Sequence, residues 1–192
     1  SYITQRIDFH KVVFTDESRF SLDGNDNYHT WSKNSRPIVN RRPYKGGSVM
    51  VWGAMTYTGQ LLLRIIEGNL NSEKYCDLLR DDIFPVLKSS MESFIFQQDN
   101  APCHTSKYTI STIEEGVEIL KWPAHSPDIS PIEKIWSILK NRVYENTQFK
   151  DKQSLWSKIE SEGEKLTTNE PDLFQRLYAR FYENMCDILC SN

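Results

Sequence analysis

The apolar and polar positions alternate between two periods along this chain. Val12-Val13-Phe14 opens a β-branched and aromatic run that predicts a strand to about Phe20. From about 22 to 48 the apolar rhythm is lost among Asn, Ser, Gly, Pro and Arg, which reads as a long loop or irregular hairpin. Ser48 to Ile66 returns to strand character. Val49 to Trp52 and Leu61 to Ile66 form its two arms, and Thr58-Gly59 is the turn. Tyr75, Leu78, Leu79, Ile83, Val86 and Leu87 fall at helical spacing behind Ser72 as the cap, with Pro85 expected to kink or end the helix. Phe94 to Gln98 is the next predicted strand, followed by a short helix capped by Thr105 or Ser106 and closed at Gly116. Val117 to Leu120 is another strand. Ile132, Ile135, Trp136, Leu139 and Val143 form one stripe of a helix from Pro131 to about Tyr144. Beyond about 146 the chain reads as helical, with stripes at Leu155, Ile159 and Leu166, then at Leu173, Phe174, Leu177, Tyr178, Phe181, Met185 and Leu189. This order predicts one α/β domain over 1–192, a mixed central sheet flanked by helices.

Composition narrows the class without naming a function. With 192 residues, 39% hydrophobic and 26% charged, the chain can bury a sizeable core. No apolar run is long enough to span a bilayer as a helix, so no membrane role is expected. The four cysteines, Cys76, Cys103, Cys186 and Cys190, make no paired framework, and reduced intracellular thiols are expected. Cys103-His104 is at most half a zinc site, since no second pair has ligand spacing. Net charge is −3, yet 27–66 contains no acid and six Lys or Arg, which leaves the remainder at −9. A basic stretch on an acidic body can be a phosphate-backbone footprint; it can equally be a solvated loop.

The candidate chemistry lies in carboxylates at strand ends. Asp16 interrupts the first predicted strand, and Asp99 follows the apolar run ending at Gln98. Asp99 alone could begin a turn, because Asp-Asn is good turn chemistry. Two such strands side by side would bring like charges together, which raises a pKa unless a cation intervenes. Mg²⁺ suits that role, since it takes hard oxygen ligands from a few carboxylates and completes its shell with water and phosphate. A third carboxylate could come from "HSPDISPIEKIW", His125 to Trp136, which offers Asp128 and Glu133. Ser130-Pro131-Ile132-Glu133 also fits a capping box with Pro at the first helical position, so Glu133 has a structural reading of its own.

Four stretches together resemble the catalytic domain of Tc/mariner-family DNA transposases. They are "FTDESRF" (Phe14–Phe20), "GGSVMVWGA" (Gly46–Ala54), "QQDNAPCH" (Gln97–His104) and "WPAHSPDISPIEKIW" (Trp122–Trp136), in the family's order. The resemblance implies an RNase H-like fold and an aspartate–aspartate–glutamate triad at Asp16, Asp99 and Glu133. It implies two Mg²⁺ or Mn²⁺ ions held by those residues in the active complex. It further implies phosphodiester hydrolysis at transposon ends, strand transfer into target DNA at TA, and a homodimer on DNA. The basic insert after the first strand then becomes a DNA-contacting element. Lys33, Arg36, Arg41, Arg42 and Lys45 are its candidate phosphate ligands, and Tyr28, Trp31 and Tyr44 could pack across a dimer or beneath the loop. One departure stands out: 33 residues separate Asp99 from Glu133, one fewer than is usual in the branch ending in glutamate. The shortening is expected near Glu115-Gly116.

Members of this family carry N-terminal helix-turn-helix modules. The chain begins just before the first predicted strand, so such modules are expected to be absent from it. A nuclear location follows from the implied activity. Two rival readings share these motifs: a domesticated, non-catalytic DNA-binding or assembly protein, and an RNase H-like nuclease without strand transfer. His104 and His125 could approach the site, although their spacing demands no catalytic role.

Overall fold

The computed structural model describes residues 7–24, 47–113, 117–120 and 130–190, with side chains as far as 186. Five strands form one sheet: β1 (Val12–Ser21), β2 (Ser48–Met55), β3 (Leu61–Ile66), β4 (Ile95–Gln97) and β5 (Glu118–Leu120). Their order is β3-β2-β1-β4-β5. The first three are antiparallel, whereas β4 and β5 join β1 in parallel. Parallel neighbours need a crossover, and helices supply it. This mixed sheet flanked by helices is the RNase H-like architecture expected above.

β1 is central, so both its faces are buried and its apolar residues do not alternate with polar ones. Val12, Phe14 and Phe20 point to one side. There they meet α5 (Pro131–Tyr144), α6 (Lys152–Asn169) and α7 (Pro171–Cys190). Val13 points to the other side, where Trp52, Tyr75, Leu79, Phe96 and Ile113 fill a second core. That side is covered by α1 (Ser72–Asp77), α2 (Phe84–Ser90) and α4 (Lys107–Ile113). The predicted stripe of α5 is buried in full, from Ile132 to Val143. Tyr178 of α7 sends its hydroxyl to the carbonyls of Val12 and Met55, at 2.6 and 2.9 Å, and so seats the last helix on the start of β1.

Local chemistry shifted several boundaries. Asn71, not Ser72, caps α1, because its side chain accepts from Lys74 N at 2.9 Å. Pro85 does not end the helical segment. It sits in the first turn of α2, where its missing N–H is tolerated, and a wider π-type turn over Leu78–Ile83 absorbs the change. Ser106 caps α4 as expected, accepting from Thr109 N at 3.1 Å. A further short helix precedes it, α3 (Pro102–Thr105). The ends of the insert after β1 meet again: Ser21 pairs with Ser48, and Leu22 N–H donates to Gly47 O at 3.0 Å. The basic residues expected inside the insert, Lys33 to Lys45 with their aromatic neighbours, lie outside the described residues, as do Gly116, Asp128 and His125.

Candidate active site

Where β4 ends, side chains replace the ladder that holds it to β1. The last registered pair is Phe14 with Gln97. Just beyond it, Thr15 Oγ1 donates to Gln97 O at 2.7 Å, and Thr15 N–H donates to Gln97 Oε1 at 3.3 Å. Asp99 lies two residues past Gln97, as Asp16 lies two past Phe14, so the parallel pair carries both carboxylates toward the same end of the two strands.

Asp16 lies on the face that α5 covers. Trp136 Nε1–H donates to its Oδ2 at 3.1 Å. The indole fits because the residue opposite Asp16 on β2 is Gly53. A Cβ there would stand 2.5 Å from Trp136 Cη2 and 2.7 Å from Cζ2, well inside van der Waals contact. Asp16, Ser18, Glu133, Lys134, Trp136, Ser137 and Lys140 line one cleft. Burial first, and then the negative charge of Glu17, lift the Asp16 carboxyl from 3.8 to about 7; the backbone N–H of Glu17 and the Trp136 indole oppose the rise, and Glu133 adds to it. The Asp16 carboxyl is thus partly desolvated in a cleft that it shares with a second carboxylate and two lysines.

Asp99 meets different neighbours. Its Oδ1 accepts from Ala101 N–H at 2.9 Å and contacts His104 Nδ1 at 2.6 Å. His104 is buried, at 3% exposure, while Asp99 remains 55% exposed. The other imidazole nitrogen, Nε2, stands 3.3 Å from Glu17 Oε1. That is ion-pair range, but the approach lacks hydrogen-bond alignment, and neither atom finds a hydrogen-bond partner among the described residues. Burial alone would push His104 down; the carboxylates of Asp99 and Glu17 outweigh it and lift the imidazole from 6.5 to about 9. The His104 bond, in turn, holds Asp99 below the usual carboxylate range against its partial burial, with help from Ala101 N–H.

Glu133 begins α5 as predicted, one turn before Trp136. The capping box expected with it does not form. Ser130 is the capping residue by position, but its Oγ makes no capping bond and is among the buried polar atoms without a partner among the described residues. Glu133 N–H instead donates to Ser130 O at 3.2 Å, so the backbone closes the first turn. Glu133 is therefore not held by the serine hydroxyl that its structural reading required. Among the described residues, no three His, Cys, Asp or Glu side chains converge as a ready-made metal cluster. Asp16 and Glu133 share a cleft, while Asp99 turns its Oδ1 to His104.

Reading the sequence missed the supporting residues. Trp136 looked like core alone, although it stands three residues after Glu133 on the same helix. His104 looked optional because α3, which returns it to Asp99, is only four residues long and carries no periodic signal.

The geometry meets its relatives at this point. Residues 11–156 match the family described as DDE superfamily endonuclease. The chain belongs to this DDE superfamily. It is 41% identical over 139 residues to the Tc3 transposase of Caenorhabditis elegans, covering 70% of this chain and 42% of that one. It is 34% identical over 171 residues to the Tcb2 transposase of Caenorhabditis briggsae, covering 80% and 62%. The DDE chain described here thus spans about half the length of these curated relatives. Its fold matches that of the mariner Mos1 paired end complex with Mg, at a TM-score of 0.73 and 19% identity, over 97% of this chain and 56% of that one.

Proposed function

We propose that this chain is the catalytic domain of a cut-and-paste DNA transposase, with Asp16, Asp99 and Glu133 as its metal-holding carboxylates. One observation carries the reading: β1 and α5 bring Asp16 and Glu133 to line one cleft, where burial first, then Glu17, and last Glu133 lift the Asp16 carboxyl to about 7. A crowd of hard oxygen donors fits Mg²⁺ or Mn²⁺, and Asp99 keeps both its protein bonds on Oδ1. When bound, a pair of such ions supplies charge neutralisation and an activated oxygen nucleophile for in-line displacement at a phosphodiester.

The chain's own residues supply position and field. Trp136 fixes the orientation of Asp16. Lys134 and Lys140 line the same cleft and offer positive charge to a phosphate backbone. Lys33, Arg36, Arg41, Arg42 and Lys45 extend that field as phosphate contacts that position DNA without reading its sequence. The substrates of this reading are transposon ends and a TA target, the acting species is a dimer on DNA, and its location is the nucleus. Relatives named as transposases on either side of 40% identity support it.

Glu133→Gln tests the reading in the full-length protein. It removes the charge but keeps the side chain's shape. Strand cleavage should fall on the order of a thousandfold, while thermal stability stays within about 0.5 kcal/mol. Near-normal cleavage would remove Glu133 from the triad.

A further inference from the structure

We propose that His104 is the positioning residue of Asp99: clamped between Asp99 and Glu17, it fixes one carboxylate oxygen and leaves the other to face a divalent cation. The inference rests on the metal reading above and deepens it.

The two contacts lie at opposite ends of one ring. Nδ1 is 2.6 Å from Asp99 Oδ1, and Nε2 is 3.3 Å from Glu17 Oε1. Glu17 follows Asp16 on β1, so its side chain projects from the opposite face of the sheet. His104 therefore supports Asp99 from behind, on the side away from Asp16 and α5. Its own placement is fixed three times over. Its backbone N–H donates to Ala101 O at 2.9 Å. Its carbonyl accepts from Gln98 Nε2 at 3.1 Å, and Gln98 Oε1 accepts from the hydroxyl of buried Tyr75 at 2.7 Å. The Tyr75 ring lies against the imidazole, with centroids 4.2 Å apart. The ring can neither swing to solvent nor rotate without breaking packed contacts. Both bonds to Asp99 fall on Oδ1, so the carboxylate plane is set while Oδ2 takes no bond among the described residues, on a side chain that remains 55% exposed. Outer partners of this kind orient a ligand, and their loss typically costs about 10–100-fold in metal affinity.

The test is a Mn²⁺ titration of the 192-residue chain, followed by electron paramagnetic resonance, for wild type and four variants. Asp99→Ala reports on the metal reading itself. His104→Ala removes both contacts, His104→Asn retains a donor near Nδ1, and His104→Gln retains one near Nε2. Wild type should bind, Asp99→Ala should lose the site, and His104→Ala should bind about 10–100-fold more weakly. His104→Asn should recover most of the loss and His104→Gln should not, a split that packing alone would not produce. If Asp99→Ala weakens binding and His104→Ala does not, the positioning role is overturned and the metal reading stands. If Asp99→Ala leaves binding unchanged, the metal reading is overturned, and this inference with it. A measurement on wild type alone guards against variants that do not fold. The His104 ring Nδ1–H proton, short-bonded to Asp99, should shift when Mg²⁺ is added, and a resonance that ignores Mg²⁺ up to saturation overturns the proposal.

Discussion

Asp16 and Glu17 are neighbours in the chain and lie on opposite faces of one strand, yet the protein treats them differently. Glu17 faces a buried imidazole that also holds Asp99, so that side carries its own cation. Asp16 faces an indole N–H and shares its cleft with a second carboxylate, and among the described residues no Lys or Arg makes a salt bridge to it. An indole donor is neutral and offsets only part of the cost of ionising a carboxyl away from water. One face thus carries a buried imidazole between its carboxylates, whereas the other sets two carboxylates in a cleft that Lys134 and Lys140 also line. That asymmetry fits the proposed metal-holding role, a rigid support behind a front open to a cation.

Removing the ionisable group from the front gives the largest effect. Asp16→Asn should lower cleavage by the full-length protein on the order of a thousandfold. It should also act on stability without metal, in a direction set by the raised pKa. The folded protein keeps the Asp16 proton to about pH 7, whereas an unfolded chain releases it near 3.8. Folded wild type thus holds more protons in that window, and its stability falls as pH rises through it. Asparagine cannot ionise. In chelator, the variant should match wild type near pH 4 and exceed it at pH 8, by up to about 4 kcal/mol, as read by chemical denaturation. Mn²⁺ at pH 8 should then stabilise wild type and leave the variant unmoved. An equal difference at both pH values would mean that the two faces are balanced alike.

A smaller effect comes from disturbing the indole rather than the carboxyl. Gly53→Ala places a Cβ into the ring of Trp136, which is itself packed between α5 and the sheet. The cost should be about 1–3 kcal/mol, since a rigid indole cannot yield as a flexible chain end could. Cleavage should fall with it, because the donor to Asp16 moves. The Glu17 face should be untouched, so the downfield His104 ring proton should persist in the variant. Its disappearance would show that the faces are coupled through the strand.

The elements themselves were legible because their periods are strong. α5 runs from Pro131 to Tyr144 with the predicted stripe buried, and β1 to β3 fall where the apolar runs place them. The pairing of β1 with β4 was foreseeable only as two strand ends, since neither its register nor the bonds that Thr15 and Gln97 exchange beyond it have a local signal. Asp16 and Glu133 could be named from motif. The Asp99–His104–Glu17 arrangement could not, because it depends on a one-turn helix folding back across two strands, a tertiary contact without a local signal. Gly53 carried a readable hint, a glycine inside an apolar strand, whose meaning needed the partner helix.

The smallest effect separates the two roles that Glu133 could play beside Asp16. Were Ser130 and Glu133 a capping box, Ser130→Ala would cost about 1 kcal/mol, as loss of a helix cap does. Here the Ser130 hydroxyl is buried without a partner among the described residues, and the backbone carbonyl of Ser130 already takes the Glu133 N–H. Deleting a buried, unpaired hydroxyl relieves desolvation rather than breaking a bond, so Ser130→Ala should be neutral or stabilising by a few tenths of a kcal/mol. Cleavage should also survive, because Glu133 is placed by the helix and not by the serine. A loss near 1 kcal/mol in thermal denaturation would restore the cap and tie Glu133 to the helix end. It would also weaken the case that the front face was built for a cation. A neutral result leaves Glu133 without the capping partner its sequence suggested, on the face where Asp16 most needs positive charge.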